Sequence, residues 1–303
     1  MAKQTVLRSF RFFAAIDIVK ALKGFYGRIK MHLNPSHEDT LFEVKDGIAV
    51  FTLNRPQKMN AISQRIFDHD LPKLVDRVEK DDDIRALVIS GAGGNFCSGA
   101  DVTRMQGSEG KPAESKNSGL RKTLGILYRL INLPKPTIAA VDGIAFGGGF
   151  SLAMTADIML ATPRARFCLV FGRIGLIPDM AIAYTLPRAI GARRAKELAY
   201  TGRSFGIEEA QNLGLINEIC SPEELLNRAI WMAKNIAKGS GEAQALAKAM
   251  FHRSHSSSQA EMTDTECAAQ EAMRKTNFHH EAVRRFLAKE PRLYDWDEII
   301  KSG

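Results

Sequence analysis

The stretch Thr137-Ile-Ala-Ala-Val141-Asp-Gly143-Ile-Ala-Phe-Gly147-Gly148-Gly149-Phe150 decides how this chain folds. Thr137–Val141 carries no charge and no breaker, so it reads as a short strand covered on both faces, the kind that parallel sheets of α/β proteins contain. The glycines mark a tight turn, after which Phe150–Thr155 reads as a helix. The same arrangement occurs upstream, where the apolar strand Ala86–Ser90 runs into Gly91-Ala-Gly-Gly-Asn95-Phe-Cys-Ser-Gly-Ala100-Asp101. Glycines at strand ends let backbone N–H groups approach a ligand closely, and a helix N-terminus adds partial positive charge. Either turn alone would be a chain reversal; together they can aim two amides at one developing oxyanion.

Outward from these turns the pattern stays α/β. Phe42–Val44 and Ile48–Leu53 predict a hairpin around Asp46-Gly47, Ile62–Glu79 a helix, residues 119–131 another, and Ile158–Ala161 with Arg166–Val170 a second hairpin. From Pro222 the chain reads as helical to its end, interrupted by a polar loop at Ser254–Ser258. The expected organisation is an extension over 1–37, a ββα core over 38–230 and a helical region over 231–303.

The chain has 303 residues, 42 Lys and Arg against 34 Asp and Glu, and a formal charge of +8. Seven basic residues (Lys3, Arg8, Arg11, Lys20, Lys23, Arg28, Lys30) and one acid, Asp17, fall within the first 35 positions, so that segment carries +6 and residues 36–303 only +2. A nearly neutral body with a basic tip does not have the charge distribution of a nucleic-acid binder. Met1–His37 reads as a basic amphipathic helix, with Leu7, Phe10, Phe13, Leu22, Phe25 and Ile29 at three- and four-residue spacing. It suits peripheral membrane or protein contact through residues 1–35, and equally docking on its own domain. It fits a mitochondrial presequence less well, being poor in Ser and carrying Asp17. No run of eighteen apolar residues occurs. Cys97, Cys168, Cys220 and Cys267 lie far apart without metal-ligand spacing and read as reduced thiols in a cytoplasmic setting.

Several site types drop out. Neither glycine turn is followed by Gly-Lys-Ser/Thr, and neither fits GxGxxG with a ribose-binding acid. Gly149-Phe150-Ser151-Leu152-Ala153 resembles a serine elbow only if its last glycine is allowed to be alanine, and no His is placed as its base.

Asn54-Arg-Pro56 with Met59-Asn60-Ala61, then Phe96-Cys-Ser-Gly-Ala100-Asp101, Gly147-Gly-Gly149, Gly172-Arg-Ile-Gly-Leu-Ile-Pro-Asp179, and Gly202-Arg-Ser-Phe205 with Glu209-Ala210 and Gly214-Leu215 follow one another in that order. Singly these motifs are weak. Together they make the chain, over about residues 40–295, resemble the crotonase (enoyl-CoA hydratase/isomerase) superfamily. The resemblance implies a crotonase-like spiral of ββα units with a C-terminal helical trimerisation region, hence a homotrimer or hexamer. It implies a substrate of fatty-acid type carried as a coenzyme A thioester, with no further cofactor and no metal. The thioester oxygen would be held by the amides of Ala100 and Gly148. CoA would lie along Lys58, Asn60, Ala61, Ala100, Asp101 and Val102, with Lys289 near the chain's end reaching a phosphate.

Departures from the family pattern point to the reaction. The two glutamates that activate water in the hydratase branch fall here on Ser151 and Phe171. A phenyl ring can be neither base nor acid, which disfavours hydration. Asp179 resembles instead the single acid of Δ3,Δ2-enoyl-CoA isomerases and of the phenylacetate-pathway isomerase branch. The expectation is an isomerase shifting 3-enoyl-CoA to 2-enoyl-CoA. The alternatives are an enoyl-CoA hydratase, a dehalogenase, a thioester hydrolase or a catalytically silent acyl-CoA-binding scaffold. For Asp179 itself the everyday alternative is to cap the helix Met180–Leu186. Phe146, Phe150, Phe171, Ile177 and Met180 are expected to desolvate its carboxylate. Asp101 reads as a partner of amides in its own turn, Cys97 as a small buried side chain, and Arg104–Ser118 as a cover over the acyl pocket.

Overall fold

A computed structural model describes residues 38–101 and 113–302. The basic segment 1–37, Val102 and positions 104–112 of the expected pocket cover lie outside the described residues. Strands β1 (Thr40–Lys45) and β2 (Ile48–Leu53) form the expected hairpin, Thr40 opposite Leu53 and Lys45 opposite Ile48. Both residues of its turn, Asp46 and Gly47, take positive φ, 53° and 77°, as two-residue hairpin loops favour. Strands β3 (Ala86–Gly91), β4 (Thr137–Val141), β6 (Ile158–Ala161) and β9 (Glu218–Ile219) extend this edge in parallel, giving the order β1-β2-β3-β4-β6-β9. A smaller sheet holds β5 (Ile144–Phe146), β7 (Arg166–Cys168) and β8 (Ser204–Gly206) in the order β5-β7-β8. The hairpin expected between Ile158–Ala161 and Arg166–Val170 therefore does not form. Strand β6 already has β4 and β9 on its two edges, and β7 pairs with β5 and β8 in the other sheet.

Alternation along the central strands divides the core. Leu87, Ile89, Ala139 and Val141 face the larger cluster; Ala86, Val88, Ile138 and Ala140 face the smaller one on the opposite side. Both faces of β3 and β4 are thus buried, which is why these strands read as uninterrupted apolar runs.

The helices are α1 (Leu71–Lys80), α2 (Ala113–Ile131), α3 (Gly148–Ala153), α4 (Ile182–Thr201), α5 (Ile207–Asn212), α6 (Leu225–Ile236), α7 (Gly241–Ser254), α8 (Gln259–Met273), α9 (Asn277–Leu287) and α10 (Trp296–Ser302). The helix expected from Ile62 begins later because Ile62 has another partner: its N–H donates to Gly99 O at 2.8 Å, and Asp101 N donates to Ile62 O at 3.1 Å. Just before α1 the backbone makes a π-type turn over Ile66–Asp70, with Leu71 N bonded to Ile66 O. Pro72, which has no N–H to give, follows directly.

Helix α6 straddles position 230 and buries Leu225, Ala229, Met232 and Ala233 against the sheet. The packed core accordingly runs through Ile236 instead of stopping at 230. Beyond it, Ser240, Ser258 and Thr276 cap α7, α8 and α9, and the polar loop Ser254–Ser258 separates α7 from α8 as expected. None of these three helices has a fully buried residue, and Phe251, Phe286 and Leu287 are 72%, 72% and 75% exposed. No helix among the described residues is long and apolar enough to cross a membrane.

Candidate active site

The two glycine turns meet. The segment after β3 runs beside β5: Cys97 N donates to Ile144 O and Phe146 N to Cys97 O, both at 2.9 Å. That places residues 97–100 against the first turn of α3. Gly149 makes the approach feasible, because a Cβ there would collide with the Cys97 carbonyl and stand 2.7 Å from the Cys97 Cβ. Gly147, in front of the helix, takes φ 51° and ψ −122°, a conformation closed to side chains. A methyl group placed on Gly148 would lie 3.7 Å from Ala100 N, so the two residues are near neighbours. Neither the Ala100 nor the Gly148 N–H donates to another described residue. Two adjacent amides without partners, one of them opening a helix, can hold an oxyanion.

Asp179 follows the short 3-10 turn Val170–Ile174 and precedes α4. It does not cap that helix, whose N-cap is Ala181 and has no side-chain cap bond. Its backbone carbonyl is tied to the turn that opens α3, and the side chain of the next residue packs on the same turn. The Ser151 hydroxyl, fully buried in α3, lies 3.0 Å from Asp179 O and 3.2 Å from Gly147 O. The sulfur of Met180 sits 2.5 Å from where a Gly148 Cβ would be. Met180 and Ala181 both take positive φ, 56° and 67°, a conformation that side chains adopt only when the surroundings enforce it. The Asp179 carboxylate has no hydrogen bond and no ion pair among the described residues, and burial alone pushes its pKa above the ordinary 3.8. Its surroundings differ in part from expectation. Phe150 points into the core, with Phe167 and Phe205 at ring-centroid distances of 5.3 and 5.9 Å, and Ile177 is 78% exposed. Phe171 and Met180 are buried as expected.

The residues expected along CoA divide. Asn60 is wholly buried: its Nδ2 donates to Ala92 O (2.8 Å) and Asn95 O (2.7 Å), and its Oδ1 accepts from Arg55 N (2.9 Å). Its side chain braces the turn and is not available to a ligand, which corrects that part of the expectation. Lys58 is half-exposed, with its ammonium 3.5 Å from Asp101. The Asp101 carboxylate therefore meets two side-chain cations, Lys58 and, at 3.0 Å, Arg55, which an expectation of turn amides alone does not include. Arg55 also donates to Ala61 O at 2.7 Å and pairs with Asp39. Nothing in the local sequence marks this organising role beyond the place of Arg55 in the Asn54-Arg-Pro56 motif. Val102 lies outside the described residues. Lys289, past the end of α9 with φ 55°, shares no hydrogen bond or ion pair with the Lys58–Ala61 turn. Cys97 is buried, and its thiol is pushed up to about 12 by desolvation, so it carries no nucleophile. No group of His, Cys, Asp and Glu among the described residues could hold a metal ion.

A family model described as enoyl-CoA hydratase/isomerase matches residues 43–298. The chain is 32% identical over 253 residues to the 1,2-epoxyphenylacetyl-CoA isomerase of Escherichia coli (strain K12), spanning 83% of this chain and 96% of that protein. It is 33% identical over 254 residues to a probable enoyl-CoA hydratase of Rhizobium meliloti (strain 1021), spanning 84% and 96%. Among solved structures it is similar to an enoyl-CoA hydratase/isomerase from Cupriavidus metallidurans CH34, with a TM-score of 0.80, 37% identity, and coverage of 86% of this chain and 97% of the other.

Proposed function

The chain belongs to the enoyl-CoA hydratase/isomerase family, and on that premise we propose that it is an isomerase moving a double bond from the 3- to the 2-position of an enoyl-CoA thioester. Asp179 is its sole acid/base, and the Ala100 and Gly148 amides hold the thioester oxygen. The observation that carries this reading is the set of carboxylates: Ser151 and Phe171 stand where hydration would need glutamates, while Asp179 offers a desolvated carboxylate without a partner among the described residues.

In the reaction, Asp179 removes a proton from the α-carbon and the electron pair spreads into the thioester as a dienolate. The same carboxyl then returns the proton at the γ-carbon. The step is redox-neutral and consumes no water, so one carboxylate and an oxyanion hole suffice and no metal or redox cofactor is called for. Loss of one oxyanion donor in such sites costs about 10²–10³ in rate, and a positioned base contributes about 10²–10⁴. Burial brings the basicity of Asp179 closer to the operating pH, where a general base works best.

Around this centre, Lys58 and the backbone of Ala61, Ala100 and Asp101 are assigned to CoA, with Lys289 contributing to a phosphate site. The exposed apolar residues of α7 and α9 support assembly as a homotrimer or hexamer.

The test is conversion of 3-enoyl-CoA to conjugated 2-enoyl-CoA, followed by ultraviolet absorbance, in wild type and Asp179→Asn. Rapid conversion that collapses in the variant is expected. Equal turnover in both would overturn the assignment of the base. Formation of 3-hydroxyacyl-CoA from 2-enoyl-CoA would replace the isomerase reading with hydration, and CoA binding without any conversion would replace it with a silent scaffold.

A further inference from the structure

We infer that Ser151 is a positioning residue that locks the catalytic Asp179 to the oxyanion turn; the inference rests on the assignment of Asp179 as acid/base. Ser151 lies one helical turn beyond Gly147, and its fully buried hydroxyl lies 3.2 Å from Gly147 O and 3.0 Å from Asp179 O. One O–H thus bridges the residue that orients the Gly148 amide and the residue that carries the base. In a proton shift along an acyl chain the distance between oxyanion hole and base has to be constant, because the same carboxyl must reach both the α- and the γ-carbon while the oxygen stays put.

The segment beyond Asp179 needs such a lock. Met180 and Ala181 are both held at positive φ, and Asp179 has no side-chain cap bond to α4 that would fix it from the other side. The hydroxyl is also dispensable to the fold, which separates positioning from mere stability. Gly147 O still accepts from the residue 151 N–H (2.9 Å), and Asp179 O still accepts from Ile182 N (3.3 Å), so truncation at position 151 orphans neither carbonyl. The arrangement further explains what stands at a position where hydratases need a carboxylate: Ser151 acts on the backbone of the base and not on substrate water.

The experiment compares Ser151→Ala and Ser151→Cys with wild type and Asp179→Asn, using 3-enoyl-CoA in H₂O and in D₂O. Ser151→Ala should melt near the wild-type temperature and keep its KM, while kcat falls about 10- to 100-fold, the scale of a misplacement of about 1 Å. The acidic limb of its kcat–pH profile should move down towards the ordinary carboxylate range as Asp179 becomes better solvated. A loosened carboxyl also exchanges its captured proton more readily, so the 2-enoyl product should carry more deuterium from D₂O. Ser151→Cys, with a weaker donor of similar size, should fall between the two. An unchanged kcat, pH limb and deuterium content in folded Ser151→Ala would overturn the positioning role and leave Asp179 untouched. Full activity of Asp179→Asn would overturn the underlying base assignment, whatever Ser151→Ala does.

Discussion

Replacing Asp179 by Asn should abolish turnover and at the same time stabilise the fold. The substitution keeps the shape of the side chain and the backbone contacts of residue 179, whose carbonyl goes on accepting from Ser151 Oγ and Ile182 N. It removes a carboxylate that has no hydrogen bond or ion pair among the described residues and whose pKa is raised by burial alone. With the folded-state pKa above the unfolded one, the unfolded chain loses its proton first as pH rises. The ionised side chain then disfavours the fold by about 1.4 kcal/mol for each unit of difference. That destabilisation is complete above the folded-state pKa, shrinks as pH falls, and is gone below the unfolded value near 4. Asn has no such term. Asp179→Asn should therefore melt above the wild type at about pH 7, by about 2–4 °C per kcal/mol released, with the gap closing towards about pH 3. Scanning calorimetry of both proteins across that range, beside the isomerase assay, reads the two effects on one pair of samples. A variant that melts below the wild type at neutral pH would mean that the carboxylate has a stabilising partner, and a gap independent of pH would mean that ionisation is not its origin.

Four other substitutions probe the same geometry. Gly149→Ala drives a methyl group into the Cys97 carbonyl, so the Ala100 amide shifts and kcat should drop by about 10²–10³; wild-type kcat in this variant would show that the two turns need not touch. Asn60→Ala leaves Ala92 O, Asn95 O and Arg55 N without their side-chain partner, at about 1–3 kcal/mol for each group left unsatisfied, and urea denaturation should show a loss of several kcal/mol. Lys58→Ala should raise KM for the CoA thioester with kcat unchanged, and the difference should fade at high salt because Lys58 is half-exposed. Phe167→Ala opens the aromatic cluster with Phe150 and Phe205 and should cost about 3–5 kcal/mol in the same denaturation measurement.

How much of the fold is legible in the amino-acid sequence depends on where the deciding partner lies. Strands β3 and β4 are readable because two buried faces leave almost no polar residue in them. The Asp46-Gly47 hairpin is readable because its turn needs positive φ at both residues. The pairing of β7 is not, because a strand of three residues carries no mark of which edge it will meet, and β6 is closer in sequence than β5 or β8. Ile62 looks helical for the same reason: its bridge to Ala100 spans 38 positions and leaves no trace in local periodicity. At the site, the glycines mark two turns able to present amides, while their assignment to Ala100 and Gly148 comes only from the family resemblance. The orientation of Phe150 cannot be inferred, since a helix start predicts that a side chain is buried but not which side of the core receives it. Asp179 is legible as a candidate and undecided as a cap. Only the position of Ala181 at the N-cap, two residues beyond Asp179, separates the two roles.

The division of labour in the site bears on which changes can alter its chemistry. In the proposed site the oxyanion donors are backbone amides, so substituting Ala100 by another side chain leaves its N–H in place, and a Cβ at position 148 would press on the Met180 sulfur. The hole can be damaged by moving the turns but not readily re-specified. Under the proposed assignment the reaction is then governed by which positions carry a carboxylate, and here Ser151 and Phe171 stand where the hydratase branch has glutamates while Asp179 supplies one. A carboxylate introduced as Ser151→Glu would have to displace the hydroxyl that ties Asp179 O to the oxyanion turn, and it would place a second negative charge beside a base already short of solvent. Each carboxylate would raise the pKa of the other. Gaining a water-activating group at 151 should therefore weaken isomerisation through Asp179 even where the fold survives, so the two chemistries compete for one turn of α3. Assaying Ser151→Glu on both 3-enoyl- and 2-enoyl-CoA tests this directly: isomerase turnover should fall well below that of Ser151→Ala, and a variant that kept wild-type isomerase rates would show that the hydroxyl and the base are not coupled.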